Sequence, residues 1–134
     1  MTNSYLSQEE VLRYSRHLIL TDFGVEAQIK LKQSSVLVVG AGGLGSPLLT
    51  YLAAAGVGCI GIVDFDIVEE SNLQRQIIHG VNWIDKPKVV SAQHRLSEIN
   101  PNCIINTYNV KLDSNNILEI IDSYDVVCDG SDNF

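Results

Sequence analysis

The sequence predicts an α/β fold in which a parallel sheet carries helices on both faces, preceded by an N-terminal helical segment. Beyond residue 34, four short runs of apolar, mostly β-branched residues alternate with three helical patterns. This β-α-β-α-β-α-β order requires right-handed crossovers between parallel strands. A glycine cluster directly follows the first run, where a buried strand turns into a helix. The 134 residues, 46% hydrophobic and 19% charged, suit one globular domain with a modest core.

Residues 1–33 form the predicted helical segment, and residues 34–134 form the predicted sheet domain. Ser7 and Glu10 have capping-box spacing, and apolar residues then recur at helical intervals. We therefore predict a helix over residues 8–18. A weaker pattern predicts a second helix over residues 26–32.

The glycine cluster lies between a predicted strand at residues 35–39 and a predicted helix that ends at Gly56. Ser46 suits the N-cap of this helix, and Pro47 suits its first position, where the missing N–H costs nothing. A second buried strand is predicted at residues 59–63.

The second half of the chain continues the alternation. Residues 69–76 are polar and form a predicted loop or short helix, whereas residues 88–99 form a predicted amphipathic helix. The remaining predicted elements are a strand at residues 103–110, a short helix at 115–121 and a last apolar strand at 124–129.

Charge, hydropathy and cysteines exclude several classes of protein. Nine basic against sixteen acidic residues give a net charge of −7, so binding to nucleic acid or an anionic membrane surface is not expected. Residues 33–63 carry no charge, but seven glycines and a proline divide them, which argues against a membrane span. Three widely spaced cysteines without a CxxC pair indicate a reducing, cytoplasmic location.

The glycine cluster itself indicates a nucleotide site. Residues 40–45 read GAGGLG and satisfy the GxGxxG pattern after a strand and before a helix. Glycines permit the tight turn and let backbone N–H groups approach a phosphate at the helix N-terminus. Asp64 follows about 20 residues later, where Rossmann-like folds hold a ribose hydroxyl. The sequence therefore predicts a Rossmann-like nucleotide site that includes Gly40, Gly42, Gly43 and Gly45.

The segment DFDIVEESNLQRQ, residues 64–76, indicates which nucleotide to expect. It brings two carboxylates, an asparagine and an arginine to the carboxyl edge of the sheet, and Lys88 and Asp132 should reach the same edge. A dinucleotide pyrophosphate needs no such set of added cations and a metal-binding aspartate. A triphosphate must have its charge countered, usually with Mg²⁺. The set favours ATP over NAD.

Five motifs together resemble the ubiquitin-activating superfamily. They are RYSRH at 13–17, GAGGLG at 40–45, DFDIVEESNLQRQ at 64–76, KPK at 86–88 and DGSDN at 129–133. They cover nearly the whole chain in the family's order. Within the superfamily, the chain is most similar to the bacterial and plastid adenylyltransferases that activate sulfur-carrier proteins for molybdopterin or thiamine synthesis, and its overall likeness favours molybdopterin.

The resemblance implies that the C-terminal Gly-Gly carboxylate of a ubiquitin-like sulfur-carrier protein attacks the α-phosphate of ATP and releases pyrophosphate. Arg75 and Lys88 would neutralise phosphate charge, and Asp132 would bind Mg²⁺. Arg16 would reach the active site of the neighbouring subunit of a homodimer. The residues implied to bind the nucleotide are Gly40, Gly42, Gly43, Gly45, Asp64, Asp66, Asn72, Gln76 and Lys88.

Some features depart from the family pattern. Asp85 stands where the family usually has glycine, which puts the approach of Lys88 to phosphate in question, and Trp83 in the same loop is expected to pack rather than bind. Relatives that complete the reaction are longer, and their second half often carries CxxC pairs for structural Zn²⁺, which this chain lacks. We therefore expect a truncated or partial chain with an incomplete sheet, an unpaired apolar edge, and weak or absent nucleotide binding.

Two other functions remain open at this point. The glycine loop and Asp64 alone would also suit an NAD-dependent oxidoreductase. A non-catalytic interaction module could retain the fold and the dimer surface without activity. Because the histidines show no metal-ligand spacing, surface or packing roles are expected for His17, His79 and His94.

Overall fold

The computed structural model describes residues 5–20 and 22–130. In these ranges the elements follow in the order α1 (Gln8–Arg13), α2 (Ser15–Leu18), α3 (Gly24–Lys32), β1 (Ser35–Val39), α4 (Gly45–Ala55), β2 (Cys59–Val63), α5 (Lys88–Ile99), β3 (Ile104–Tyr108), α6 (Ile117–Ile121) and β4 (Val126–Asp129). Two short 3₁₀ turns, Glu70–Asn72 and Val81–Trp83, lie between β2 and α5. No helix in the described part of the chain is long and apolar enough to cross a membrane.

The four strands form one parallel sheet in the order β3-β2-β1-β4, which confirms the predicted α/β architecture. β1 lies inside the sheet, with Val38 opposite Ile62 of β2 on one side and Cys128 of β4 on the other. β3 is shorter than the strand predicted at residues 103–110. Because the strands run in one direction, their carboxyl ends meet at a single edge, where open α/β sheets bind their ligands.

The core lies between one face of the sheet and the helices α4 and α5. Alternate residues of β1 and β2 point to this face, and their apolar side chains pack against those of the two helices. The principal members of this buried cluster are Val36, Val38, Ile60, Ile62, Leu49, Ala53, Val89, Ala92 and Leu96. The opposite face carries Leu37 and Gly61, and Tyr124 packs there so closely that a Cβ on Gly61 would overlap its ring.

The predicted helix at residues 8–18 is wrong as a single element, because the chain leaves helical geometry at Tyr14 (φ −102°, ψ 17°) between α1 and α2. The Tyr14 ring is buried, and its hydroxyl accepts a hydrogen bond of 2.6 Å from Nδ2 of Asn100. A contact 86 residues away in sequence thus ends the helix. The capping box of Ser7 and Glu10 is confirmed.

The start of α4 also differs from its prediction. The helix begins at Gly45 without a side-chain cap, so Ser46 is its second residue and Pro47 its third. The N–H of Ser46 donates to the carbonyl of Gly42 at 2.8 Å, so the glycine loop itself supplies the first turn. Gly56 ends the helix as predicted, with a left-handed φ of 97°. α3 begins two residues before its predicted start, at Gly24.

The β4 strand forms one edge of the sheet. Among the described strands it pairs with β1 alone, and its side chains Val126 and Val127 are 52% and 46% exposed. A strand that lacks a neighbour on one side leaves apolar side chains and backbone groups accessible. This edge carries the exposed apolar surface that the sequence predicts for the last strand.

Candidate nucleotide site

A cavity of about 370 Å³ opens at the carboxyl edge of the sheet, between the ends of the strands and the start of α5. Part of its wall is apolar and is formed by Val39, Val63, Phe65, Val110 and Leu112. The structure brings six of the predicted nucleotide-binding residues to its lining. They are Gly40, Gly42, Asp64, Asp66, Gln76 and Lys88.

The glycine loop forms the floor between β1 and α4. Gly40 has a φ of 102°, a conformation that favours glycine, and its N–H donates to the carbonyl of Val63 at 2.8 Å. A Cβ at Gly45 would overlap the carbonyl of Gly40, so the first turn of α4 can approach the loop only without a side chain there. These two positions explain why this turn requires glycines.

Asp64 holds the loop to the end of β2. Its Oδ2 accepts a hydrogen bond of 2.8 Å from the N–H of Ala41, and its Oδ1 accepts one of 2.9 Å from the N–H of Asp66. A carboxylate has about four lone-pair sites. Each oxygen of Asp64 therefore has capacity left for a hydroxyl donor in the cavity.

Of the two lysines among the described residues that line the cavity, Lys88 is buried and Lys111 is exposed. Lys88 is the first residue of α5, its side chain is 7% exposed, and its N–H donates to the carbonyl of Asp66 at 3.0 Å. Its Nζ lies 3.9 Å from Oδ2 of Asp66, whose side chain is 56% exposed, which is a loose ion pair. A buried ammonium group with such a distant counter-ion is suited to a ligand anion.

The loop before Lys88 adopts the conformation that glycine would give it. Asp85 has a φ of 70°, in the left-handed region that aspartate tolerates better than most residues. Its N–H donates to the carbonyl of Val68 at 2.8 Å, which fixes the loop against the segment that follows β2. The ring centres of Trp83 and His94 are 5.1 Å apart, so Trp83 packs against α5. Neither Asp85 nor Trp83 prevents the chain from bringing Lys88 to the cavity.

Arg75 and Asn72 lie beside the loop rather than inside the cavity. The Nη2 of Arg75 donates to Oδ1 of Asn72 at 3.0 Å, and the aliphatic stem of Arg75 lies 3.9 Å from the Cβ position of Gly43. Arg75 is exposed. The stem of Arg75 thus lies against the glycine loop, with its guanidinium group on Asn72, whereas Lys88 lies within the cavity.

Gln76 carries a signal that points to a ligand. It lines the cavity and is 3% exposed, and its Oε1 has no hydrogen-bond partner among the described residues. Ser46, at the start of α4, has a buried Oγ in the same condition. Because buried polar atoms are rarely left unpaired in native proteins, a bound molecule with hydrogen-bonding groups would complete this site.

One predicted site residue lies away from the cavity, and another falls outside the described residues. Arg16 is exposed on α2, and it does not line the cavity. Gln28 of α3 connects α2 to α4. Its Nε2 donates to the carbonyl of Ala55 at 2.8 Å, and its Oε1 lies 2.9 Å from Nδ1 of His17. Asp132, the predicted Mg²⁺ ligand, lies outside the described residues.

His79 contacts the glycine loop, although the sequence pattern predicted only a surface or packing role for it. It is 6% exposed and lies between the glycine loop and α5. Its Nε2 is 2.7 Å from the carbonyl oxygen of Ala41, and its Nδ1 is 2.7 Å from Oγ of Ser91. Both partners are remote in sequence, so no local pattern could have revealed these bonds.

The chain matches known proteins over nearly its whole length. The ThiF family matches residues 14–134. The chain is 55% identical over 98% of its length to a probable adenylyltransferase/sulfurtransferase MoeZ from Mycobacterium tuberculosis, of which it covers 33%. It is 56% identical over 96% of its length to a probable molybdopterin-synthase adenylyltransferase from Porphyra purpurea, of which it covers 34%. The chain thus spans about a third of these curated relatives.

Solved structures share the architecture. The tRNA N6-threonylcarbamoyladenosine dehydratase TcdA of Escherichia coli, solved in complex with ATP, superposes with a TM-score of 0.88 at 26% identity. This match covers 95% of the chain and 52% of TcdA. Another, PaaA, superposes with a TM-score of 0.85 at 30% identity over 96% of the chain.

Proposed function

The chain belongs to the ThiF family, and from that premise we propose that it is the ATP-binding part of an adenylyltransferase. The substrate is the C-terminal carboxylate of a ubiquitin-like sulfur-carrier protein. The names of the two curated relatives support adenylyl transfer, and one of them supports molybdopterin synthesis over the thiamine branch. The solved complex of TcdA with ATP supports the choice of nucleotide.

The observation that carries this proposal is the cavity with Lys88 in its wall. A nearly buried ammonium group, a glycine loop with backbone N–H groups and the unpaired Oε1 of Gln76 meet at one edge of the sheet. The apolar wall around Phe65 and Val110 suits a base, and Asp64 between that wall and the loop suits a ribose. These features support a separate place in the cavity for each of the three parts of a nucleotide.

The reaction needs positioning more than proton transfer. A carboxylate oxygen of the carrier attacks the α-phosphorus of ATP, the bond from that phosphorus to the bridging oxygen breaks, and pyrophosphate leaves with the electron pair. A C-terminal carboxyl group is already ionised near neutral pH, so no general base is required. In this proposal Lys88 offsets the negative charge from within the cavity and Arg75 from beside Gly43.

Mg²⁺ and the subunit contact are further parts of the proposal. When bound, Mg²⁺ would neutralise phosphate charge, and it commonly uses one or two carboxylates together with phosphate oxygens. Asp66, half exposed beside Lys88, offers such an oxygen at the cavity, and Asp132 remains the predicted ligand. Arg16, exposed on α2, is free to reach a second copy of the chain in a cytoplasmic homodimer.

The nucleotide proposal is tested by thermal melting of the chain with magnesium ATP and, separately, with NAD. A ligand at a hundred times its dissociation constant stabilises the native state by about 2.7 kcal/mol. The departures from the family pattern predict weak or absent binding, but the cavity with its buried Lys88 leads us to expect that ATP raises the midpoint and that NAD leaves it unchanged. A response to NAD alone, or to neither nucleotide, contradicts the proposal.

A matched pair of variants locates the effect. Lys88→Met removes the buried ammonium group and should abolish the response to ATP. Lys86→Met makes the same change two residues earlier, where the ammonium group lies over the ring of Trp83, 5.1 Å from its centre, and outside the cavity lining. It should respond to ATP like the original chain. Transfer itself is tested by exchange of labelled pyrophosphate into ATP when a carrier ending in Gly-Gly is added.

A further inference from the structure

We propose that His79 is a positioning residue that fixes the glycine loop relative to α5 and so sets the place of Lys88 in the cavity. The inference rests on the proposed ATP site and adds a residue to it. The evidence is the pair of hydrogen bonds that the imidazole ring makes. One ends on the loop at Ala41, and the other ends on α5 at Ser91, three residues after Lys88.

The bonds determine which nitrogen carries the hydrogen. The carbonyl oxygen of Ala41 can only accept, so Nε2 of His79 must be the donor. A neutral ring then has a lone pair on Nδ1, and this nitrogen accepts from the hydroxyl of Ser91. Both ring nitrogens are thus used, and the ring is almost completely buried. Neither the loop nor α5 can shift without breaking one of these bonds.

The loop is held at the same residue from two sides. The N–H of Ala41 donates to Asp64, and its carbonyl accepts from His79. Ala41 lies between Gly40 and Gly42, which both line the cavity. Glycines give the backbone of the loop conformational freedom. If the loop became ordered only when phosphate bound, the lost entropy would weaken binding. His79 and Asp64 supply this restriction before the ligand arrives.

Burial of the ring, more than the charges around it, favours its neutral form. Lys88 on α5 and Asp64 after β2 are the charged groups that act on it. Burial lowers the pKa of His79, and the Lys88 cation lowers it further, against the opposing effects of the Ala41 carbonyl and Asp64. A protonated ring would place a second cation next to Lys88 and turn Nδ1 from an acceptor into a donor.

Three variants separate positioning from general stability. His79→Gln keeps a side-chain N–H for the carbonyl of Ala41, His79→Leu removes both bonds, and Ser91→Ala removes only the bond to α5. Ser97→Ala is the control, because it makes the same change as Ser91→Ala on the exposed side of α5, where, among the described residues, its Oγ bonds only to the carbonyl of Gln93 in the same helix. For each variant, the dissociation constant for magnesium ATP is measured by calorimetry at pH 7.5, and the melting midpoint is measured without nucleotide.

We expect His79→Leu to weaken ATP binding about tenfold or more, and His79→Gln to stay within about threefold of the original chain. Ser91→Ala should fall between them, and Ser97→Ala should bind normally. Exchange of the loop amide hydrogens at Gly42–Gly45 should accelerate in the same order. If variants that remain folded lose melting temperature but bind ATP equally well, His79 is merely structural and the inference is overturned while the ATP site stands.

The remaining outcomes are also decisive. If the original chain does not bind ATP, the proposed function fails, and the role of His79 fails with it. If His79→Leu does not fold, the comparison of His79→Gln with Ser91→Ala decides, since equal binding to the original chain in both overturns the inference. Nitrogen-15 chemical shifts provide a measurement without variants. A neutral ring protonated at Nε2 at pH 7.5 supports the proposal, and a ring protonated at Nδ1 contradicts it.

Discussion

The β1–α4–β2 unit and the β4 edge are both apolar in sequence, yet their side chains differ in how deeply they are buried. Leu37, Val38 and Ile60 are completely buried, whereas Val126 and Val127 remain about half exposed at 52% and 46%. β1 has a strand on each side and helices over one face, but β4 has a described neighbour on one side only. The comparison teaches that position in the sheet, and not hydrophobicity, decides where a strand contributes to stability.

The same difference applies to the candidate site. The glycine loop, Asp64 and Lys88 lie at the ends or on the flanks of the buried unit, where backbone and side chains are fixed by hydrogen bonds. The β4 edge contributes Gly130 to the cavity, just beyond its last residue. We therefore expect changes in the first region to cost far more than matched changes in the second.

The largest effect is expected for Gly45→Ala. The new Cβ would overlap the carbonyl oxygen of Gly40, and this backbone group cannot turn aside as a flexible side chain could. We expect a loss of about 3 kcal/mol or more in the free energy of unfolding, measured by urea denaturation. Gly80→Ala is the matched control, because a Cβ at Gly80 meets nothing within 4 Å. Equal stability of the two variants would show that the loop is looser than its contacts indicate.

The next effect concerns equal truncations on two helices. Leu49 of α4 is completely buried, whereas Leu118 of α6 is 73% exposed. Leu49→Ala should destabilise the chain by about 2–5 kcal/mol through lost burial and a residual cavity. Leu118→Ala should change stability by less than about 0.5 kcal/mol. Urea denaturation measures both, and similar losses would contradict the contrast between the two regions.

A smaller effect depends on pH. Burial lowers the pKa of His79 below the ordinary value of 6.5, so below that pH the unfolded chain binds more protons than the folded chain. The contribution of His79 to stability is therefore complete above pH 6.5 and is lost as the pH falls towards its folded pKa. We expect the free energy of unfolding to fall from pH 7.5 to pH 5.5 by more in the original chain than in His79→Gln, because only the original chain carries this imidazole. An identical pH dependence in both proteins would contradict this.

The smallest effect on stability is expected at the β4 edge. Val126→Lys places a charge on a side chain that is already 52% exposed. The free energy of unfolding should change by less than about 0.5 kcal/mol, while self-association, followed by light scattering, should decrease. Val38→Lys, on the buried central strand, should prevent folding. A large loss of stability in Val126→Lys would mean that β4 is covered in solution.

Much of the fold could be predicted because its signals are local. The runs at residues 35–39 and 59–63 contain nothing but strand-forming and small residues, and they became β1 and β2 with those same bounds. The GxGxxG loop requires glycines for reasons of backbone geometry that hold wherever a strand turns sharply into a helix. Both predictions therefore needed no knowledge of distant contacts.

The errors occur where a distant residue competes with a local preference. The hydroxyl of Tyr14 bonds to Asn100, which breaks the helix that local periodicity predicts. Ser46 has the side chain of an N-cap, but the carbonyl of Gly42 already satisfies its N–H, and its Oγ is buried instead. A capping preference is worth about 1 kcal/mol, which loop packing readily exceeds.

The sequence by itself determined the order of strands and helices, the glycine loop and the family to which the chain belongs, because periodicity, glycine spacing and motif order are properties of neighbouring residues. Only the tertiary structure decided that Lys88 lies inside the cavity while Arg75 lies exposed beside Gly43. It alone placed His79 between the loop and α5. The physical reason is that burial and hydrogen bonding depend on which distant segments the sheet brings together, and a parallel sheet collects its site from loops that are far apart in the chain.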